Sequence, residues 1–396
     1  MPPKSTPPPS SQLGVEIPFN NPHALSVSLP TWSDTVGWAS GDEKIVNAMS
    51  TGYPRFFVHR KIQKLGELCM QRIGVVDRLA FVFPTARIAG ECISYLKSFT
   101  QESEHSSLHT YSVYLPLPSC RRISFGRHHL EVHIVTYPLE LRRLAKSFWT
   151  HTGMGVSSRY AEVCLSVFPK QGIDLNACLC GGLNIDSDPN MQATTLALRH
   201  RIATLCVYGK LPHPGSPCVN GVDSGPPISQ SDVFLFPTGM SAIWHAYQLA
   251  MKLRPGFKSV CFGFPYTDTV KILEKWGPGC IFYGDHPDAN LAAFEQALTS
   301  LGSCSTAPPV SALFCECPSN PLLQTPNLPR LRQLADKYGF LIVIDDTIGN
   351  FVNVNTIQYV DVVATSLSKL FSGNADVMGG RYEEFYLTCY SNLRRN

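Results

Sequence analysis

The sequence predicts an α/β fold with a mostly parallel central sheet, and the clearest evidence lies between residues 231 and 380. Short apolar runs such as VFLF (233–236) and LIVID (341–345) recur there, and segments with helical spacing separate them. Strands that are buried on both faces have this continuous apolar character, because crossover helices cover both surfaces of a parallel sheet. Ligands of such sheets bind beyond the carboxyl ends of the strands, so the residues after each run are the first candidates for function.

The elements of this region alternate in a regular order. The predicted strands are DVFLFP (232–237), SVCFGF (259–264), CIFYG (280–284), VSALFCEC (310–317), GFLIVIDD (339–346) and DVVATS (361–366). The predicted helices between them cover 239–253, 268–276, 288–301 and 327–338. Asp288 is the predicted N-cap of the third helix, because aspartate side chains accept hydrogen bonds from free backbone N–H groups. Asn327 is the corresponding start signal of the fourth helix, and Gly339 is its predicted end.

The chain before residue 231 has a less regular pattern. Strand-like runs occur at 78–84 and 130–139, and helical spacing occurs after Pro54 and at 86–99, 151–168 and 197–211. A Pro/Gly/Ser-rich loop is predicted at 213–232. The predicted organisation is therefore a disordered Pro/Ser-rich lead (1–12), an N-terminal region that carries an insertion (13–230), a ligand-binding core (231–380) and an atypical tail (381–396).

The composition indicates a globular protein and excludes several classes. The chain has 396 residues, of which 44% are hydrophobic and 16% charged, with a formal net charge of +3. We therefore expect no nucleic-acid partner, and the absence of a long apolar run predicts no membrane span. The start of the chain has no apolar signal segment, so we expect a cytoplasmic protein whose 14 cysteines are reduced.

Two CxC pairs, at 178–180 and 315–317, are candidate metal ligands. Such a pair is weak evidence for zinc when no second pair follows at the usual spacing. Cys315 and Cys317 also share one face of a predicted strand, so core packing accounts for them. The sequence predicts no metal site.

Four residues are candidates for holding a phosphate group. Gly239 and Met240 begin a helix directly after a predicted strand, where free backbone N–H groups and the helix dipole favour anions. Ser366 and Ser368 follow the last strand and offer two hydroxyls to the same group.

Other strand ends carry groups that suit a flat aromatic ligand. Tyr266 could stack on a planar ring, and Asp345 could pair with a protonated ring nitrogen. Lys369 could form a Schiff base with an aldehyde, while Glu316 and Asn320 follow the strand at 310–317. Taken singly, Asp345 is explained as a cap, Tyr266 as a core aromatic and Asn320 as a turn residue. Taken together, these groups favour pyridoxal 5'-phosphate, which is held by a lysine and an aspartate.

At this point the sequence resembles a known family, the Cys/Met-metabolism group of pyridoxal-phosphate enzymes. TGM (238–240) is similar to that family's SGM phosphate turn, and ECPSNP (316–321) to its ExPxNP. VIDDT (343–347) is similar to VDNT, with Asp346 in place of asparagine. SLSKLFSGNADVMGG (366–380) is similar to the segment around the Schiff-base lysine. The stretches SVSLPTWSDTVGW (26–38) and TGYPRFFVHR (51–60) resemble fungal cystathionine γ-synthases within the family.

The resemblance implies a fold-type I, aspartate-aminotransferase-like structure and a catalytic role for Lys369 and Tyr266. It implies γ-substitution of an O-acylhomoserine by cysteine, which gives cystathionine. A cystathionine γ- or β-lyase and an O-acylhomoserine sulfhydrylase share the same motifs and remain alternatives. A nucleotide-binding dehydrogenase is disfavoured, because no GxGxxG follows a strand.

The resemblance also implies a homodimer or homotetramer in which a Tyr-x-Arg pair reaches the neighbouring subunit's phosphate. Tyr53 and Arg55 in GYPR are the preferred pair, and Arg159 in SSRYAE is the alternative. Only 27 residues follow Lys369, so we expect the family's C-terminal small domain, with its carboxylate-binding arginine, to be missing. A non-catalytic cofactor-binding paralogue is therefore a further alternative.

Overall fold

The computed structural model describes residues 12–117, 129–168, 189–208, 228–284, 286–302 and 309–384. The chain divides into two compact units, one made of Met1–Pro189 with Asn374–Val377 and the other of Asn190–Gly373 with Met378–Asn396. The predicted lead up to residue 11, the CxC pair at 178–180, most of the loop at 213–232 and the tail from residue 385 lie outside the described residues. The predicted domain boundary near residue 231 stays a prediction.

The first unit contains a three-stranded antiparallel sheet with the order β3-β5-β4. The strands of this sheet are β3 (Leu79–Phe83), β4 (His109–Pro116) and β5 (His129–Tyr137). Two shorter strands, β1 (Glu16–Ile17) and β2 (Ser26–Val27), form a separate two-stranded sheet. The helices of this unit are α1 (Trp32–Ser40), α2 (Glu43–Ala48), α3 (Arg60–Ile73), α4 (Ala86–Ser98), α5 (Arg142–Thr152) and α6 (Ser158–Val167). Strand β4 was not predicted from the sequence, because its mixture of histidine, serine and tyrosine lacks a continuous apolar run.

The second unit contains a seven-stranded sheet with the order β6-β12-β11-β10-β9-β7-β8. Its strands are β6 (Val233–Phe236), β7 (Ser259–Phe262), β8 (Cys280–Tyr283), β9 (Ala312–Glu316), β10 (Leu341–Asp345), β11 (Val362–Ser366) and β12 (Gly380–Glu384). Its helices are α7 (Pro189–Tyr208), α8 (Gly239–Leu253), α9 (Thr267–Lys275), α10 (Pro287–Gly302) and α11 (Leu328–Tyr338). The four pairs β11-β10, β10-β9, β9-β7 and β7-β8 are parallel, which confirms the predicted, mostly parallel α/β sheet.

Strand β12 is the unexpected member of this sheet. It lies between β6 and β11 and runs antiparallel to both, with Gly380 opposite Phe236 on one side and Ser366 on the other. Its charged run RYEE (381–384) was predicted to belong to the atypical tail. Hydrogen bonding to two neighbours places this segment in the sheet despite its low apolar content.

The alternation of side chains along the strands brings the polar strand ends to one face. Val260, Leu313, Ile342 and Val363 pack into a core with helices α10 and α11, so they define one face of the sheet. The alternate residues Cys261, Phe314, Val343 and Ala364 line a small cavity with Ile243 of α8, together with Glu316 and Asp345. Because side chains alternate along a strand, Glu316 and Asp345 end their strands on the face that α8 covers.

Most of the predicted helix ends are confirmed. Asn327 caps α11 by accepting the N–H of Arg330, and Gly339 ends that helix in the left-handed conformation. The predicted N-cap Asp288 is wrong, because α10 begins at Pro287 and Asp288 lies in its first turn. Proline is favoured at the first helical position, and the helix starts two residues earlier than an N-cap at Asp288 would place it.

No helix in the described ranges is long and apolar enough to cross a membrane. In the same part of the chain, no group of three or more His, Cys, Asp and Glu side chains is arranged to hold a metal ion.

Candidate active site

The helix N-terminus at Gly239 lies directly against the end of strand β11. Thr238 caps α8 by accepting the N–H of Ser241, so Gly239 and Met240 supply the first N–H groups of the helix. A Cβ atom built on Gly239 would lie 2.6 Å from Cβ of Ser366. A Cβ built on Gly380 would lie 2.0 Å from the carbonyl oxygen of Thr238. Glycine is therefore required on both sides of this turn.

The two candidate serines have different surroundings. The hydroxyl of Ser366 is buried and has no hydrogen-bond partner among the described residues. The hydroxyl of Ser368 accepts the N–H of Gly379 at 2.9 Å and donates to the carbonyl of Gly379 at 3.2 Å. Buried hydroxyls without a partner are uncommon, so Ser366 is the better candidate for an added acceptor such as a phosphate oxygen.

Asp345 ends strand β10 and is held by Thr347, a residue that the sequence analysis did not single out. Oδ1 of Asp345 accepts the Thr347 N–H at 3.0 Å and its hydroxyl at 2.6 Å. No described residue donates a hydrogen bond to Oδ2, which is left for a ligand. The Thr347 hydroxyl in turn accepts the N–H of Ser366 at 2.9 Å. Thr347 therefore connects the carboxylate to the serine beside the helix.

Glu316 ends strand β9 directly beside Asp345 in the sheet register. One of its carboxylate oxygens accepts the N–H of Tyr266 at 2.7 Å, and the other accepts the N–H of Asn320 at 3.0 Å. The side chain was predicted to bind the cofactor, but both of its oxygens hold backbone groups. Glu316 thus fixes the start of α9 and the turn after β9, where two further candidate residues lie.

The two neighbouring carboxyl groups have raised pKa values. Burial, followed by the nearby charge of Asp345, raises the pKa of Glu316 to about 7, although two backbone hydrogen bonds oppose the shift. Burial also raises the pKa of Asp345, while its bonds to Thr347 and the charge of Lys369 act in the opposite direction. Because burial dominates, a cationic partner placed at Asp345 would be strongly stabilising.

Lys369 lies on the turn three residues beyond the end of β11. Its side chain is exposed, and its backbone N–H donates to the carbonyl of Ser366 at 3.4 Å. Its ammonium group lowers the pKa of Asp345, so the two groups interact electrostatically. Tyr266 is also partly exposed, with 37% of its surface accessible.

The residues proposed to reach a neighbouring subunit belong to the first unit. Arg55 is buried, and its guanidinium lies 5.2 Å from the ring centre of Phe56. Arg159 is exposed, and it donates to the backbone carbonyl of Asp376 at 2.6 Å and to its carboxylate at 3.3 Å. A side chain that contacts another subunit must be accessible, so this geometry favours Arg159 over Tyr53 and Arg55. The choice between them stays a prediction.

These residues fit pyridoxal phosphate on three structural grounds. Ser366 supplies a buried hydroxyl beside a helix N-terminus, and no residue in the described ranges forms a hydrogen bond with it. The close approach at Gly239 keeps the first backbone N–H groups free of side-chain cover. Asp345 offers a carboxylate oxygen that receives no hydrogen bond from the part of the chain that the structure describes, and Lys369 offers an exposed amine. The fold and the site together define a pyridoxal-phosphate enzyme of fold type I.

Comparison with known proteins identifies the family. Residues 229–384 match the model of the Cys/Met metabolism PLP-dependent enzymes, and residues 61–157 match the N-terminal domain of fungal trans-sulfuration enzymes. The chain belongs to the Cys/Met-metabolism family of PLP-dependent enzymes and is similar to its fungal cystathionine γ-synthases.

Individual relatives cover nearly the whole chain. Cystathionine gamma-synthase-like enzyme iboG2 of Amanita muscaria is 39% identical over 94% of this chain and 66% of its own length. Cystathionine gamma-synthase of Neurospora crassa is 35% identical over 94% of this chain and 71% of its own length. Alanine racemase ungC of Aspergillus violaceofuscus is 34% identical over 93% of this chain and 65% of its own length. The chain thus spans about two thirds of the length of these relatives, and their names include different reactions.

Proposed function

We propose that the protein is a transferase that replaces the acyloxy group of an O-acylhomoserine with cysteine and so forms cystathionine. The observation that carries this proposal is the arrangement of Asp345, Ser366 and the helix start at Gly239 around Thr347. The similarity to the Neurospora cystathionine gamma-synthase supports the particular reaction.

In this proposal, each part of the cofactor has a partner in the chain. The N–H groups of Gly239 and Met240 and the Ser366 hydroxyl hold the phosphate, since a helix N-terminus favours anions. The Asp345 carboxylate binds the ring nitrogen and keeps its proton in place. Tyr266 and Asn320, whose backbones Glu316 holds, bind next to the ring. When bound, pyridoxal phosphate supplies an electron sink that stabilises negative charge on the substrate's carbon atoms.

Lys369 is the proposed covalent anchor and proton carrier. With the cofactor and substrate bound, Nζ of Lys369 would accept the proton from Cα of the homoserine ester and then move a proton at Cβ. These transfers allow the acyloxy group to leave Cγ as a carboxylate, and the cysteine thiolate forms the new C–S bond there. Tyr266 is the second proposed catalytic residue.

Two alternatives use the same residues. A γ- or β-lyase would release an α-keto acid and ammonia instead of joining two amino acids, and a sulfhydrylase would take sulfide in place of cysteine. One relative is named an alanine racemase, a reaction that exchanges the proton at Cα, so racemisation is a further reaction to consider for this site. A paralogue that binds the cofactor without turnover is the third alternative.

Oligomerisation belongs to the same proposal. We propose a homodimer or homotetramer in which one subunit's arginine, Arg159 or Arg55, binds the phosphate held by its neighbour. The exposed position of Arg159 supports its choice.

The proposal is tested by incubating the purified chain and pyridoxal phosphate with O-acetyl- or O-succinylhomoserine and cysteine. Cystathionine formation that is absent in Lys369→Ala supports it. Production of an α-keto acid and ammonia from added cystathionine, with no cystathionine formed from the ester and cysteine, favours a lyase. Homocysteine formed only from sulfide favours a sulfhydrylase. Cofactor binding without any of these products favours the non-catalytic paralogue.

A further inference from the structure

Thr347 is the residue through which the aspartate and the phosphate-side serine are joined. Its hydroxyl carries one hydrogen, and that hydrogen is donated to Oδ1 of Asp345 at 2.6 Å. The same oxygen accepts the Ser366 N–H at 2.9 Å. The Thr347 hydroxyl therefore has one orientation, in which it accepts a hydrogen bond from Ser366 and donates one to Asp345.

Thr347 also determines which carboxylate oxygen of Asp345 is available. Its N–H and its hydroxyl both bind Oδ1, and no described residue donates to Oδ2. A carboxylate with one oxygen doubly bound cannot rotate without losing both bonds. Hydrogen bonds to the charged form also act against the effect of burial, so they lower the pKa of Asp345 relative to a carboxyl group without them.

We propose that Thr347 is a positioning residue that presents Oδ2 of Asp345 as a charged acceptor for the cofactor's ring nitrogen and aligns it with Ser366. This inference rests on the proposed function, because the ring nitrogen belongs to the proposed cofactor. Thr347→Val removes the hydroxyl with little change in shape, whereas Thr347→Ser keeps it. Comparing these two variants therefore separates the effect of the hydroxyl from the effect of the rest of the Thr347 side chain.

The first arm of the experiment uses the cofactor-free chain. The charged groups that act on Asp345 are Glu316 on β9 and Lys369 after β11, while α8 contributes the apolar Ile243 to the cavity wall. Cys261 lines the same cavity, and burial raises the pKa of its thiol so that it stays neutral. The two Thr347 variants are compared in a Glu316→Gln background, which removes the other carboxyl group that titrates nearby.

In Thr347→Val, loss of the hydroxyl raises the pKa of Asp345 further. The folded state then holds the proton of Asp345 more tightly, so the unfolding free energy falls more steeply as pH rises. We expect the gap in denaturation midpoint between the Val and Ser variants to widen as the pH rises above the range in which an ordinary aspartate titrates, because the pKa of Asp345 is raised. A gap that stays constant with pH overturns the proposal, since packing alone does not titrate.

The second arm measures pyridoxal phosphate binding by absorption. We expect Thr347→Val to weaken binding at least tenfold and Thr347→Ser to stay within about twofold of the parent. Equal binding by both variants overturns the proposal. A parent chain that binds no cofactor at Lys369 contradicts the proposed function instead, and the first arm still decides whether Thr347 controls Asp345.

Discussion

Gly239 and Ser366 approach so closely that a single methyl group cannot be placed between them. The Cβ that alanine would add at position 239 lies 2.6 Å from Cβ and 3.0 Å from Oγ of Ser366. The backbone at the helix start thus lies directly against Cα, Cβ and Oγ of Ser366 at the strand end. This relationship creates the surface at which we place the phosphate.

Gly239→Ala is expected to separate the helix start from Ser366. Overpacking of this kind costs about 1–3 kcal/mol, and we expect pyridoxal phosphate affinity to fall at least tenfold. Gly90→Ala is the matched control, because Gly90 lies inside α4 and a Cβ there meets no atom within 4 Å. That control should gain about 0.5–1 kcal/mol from helix propensity and leave cofactor binding unchanged. Unaltered binding by Gly239→Ala contradicts this placement of the phosphate.

The two serines are expected to respond differently to alanine. Ser366→Ala removes a hydroxyl that has no hydrogen-bond partner among the described residues. The unfolding free energy of the cofactor-free chain should therefore change by less than about 0.5 kcal/mol while cofactor binding weakens. Ser368→Ala breaks two hydrogen bonds to Gly379 and should lower the unfolding free energy by about 1–3 kcal/mol. Denaturant titration with and without cofactor measures both quantities. If both variants changed the unfolding free energy and the cofactor affinity to the same extent, the two hydroxyls would not have separate roles.

The cofactor-free protein is expected to lose stability as pH rises towards 7. Glu316 has a pKa of about 7 when folded against an ordinary value of 4.5, and the pKa of Asp345 is also raised. Between these values the folded state binds more protons than the unfolded state, so the unfolding free energy decreases with increasing pH. The decrease due to Glu316 should amount to about 1–3 kcal/mol.

Glu316→Gln tests this assignment, because glutamine does not titrate. We expect the variant's stability to depend less on pH between about 4.5 and 7. Glutamine also accepts only one of the two backbone N–H groups, so the Tyr266 and Asn320 turns should become less ordered, which faster amide hydrogen exchange would report. An undiminished pH slope would assign the titration to another group.

Arginine variants are expected to distinguish the two candidates for the contact between subunits. Arg55→Ala removes a buried side chain and should destabilise the first unit. Arg159→Ala removes an exposed side chain and should leave stability nearly unchanged, while cofactor affinity falls in the oligomer. If cofactor affinity fell only in Arg55→Ala, Tyr53 and Arg55 would be the better candidates for the contact between subunits.

Much of the second unit could be predicted because its signals are local. Continuous apolar runs gave β7, β9, β10 and β11, and the polar groups at their ends are the residues that the sheet brings together. Strand β12 was missed because its place depends on pairing with β6 and β11, which are distant in sequence.

The candidate site shows the same division between local and long-range information. Asp345 was identified from its position after an apolar strand. Thr347 was overlooked because its importance lies in a hydrogen bond to Ser366, nineteen residues further along the chain. The use of Glu316 to hold two backbone N–H groups likewise depends on turns that only the folded structure defines.

The most direct test of the account is to locate pyridoxal phosphate on the chain. The purified protein is mixed with the cofactor, its visible absorption is recorded, and the sample is reduced with borohydride and digested for mass spectrometry. We predict an absorption band that Lys369→Ala lacks, and a pyridoxyl group on the peptide that contains Lys369. A folded protein that shows no such band, or that carries the group only on other lysines, would contradict the central claim.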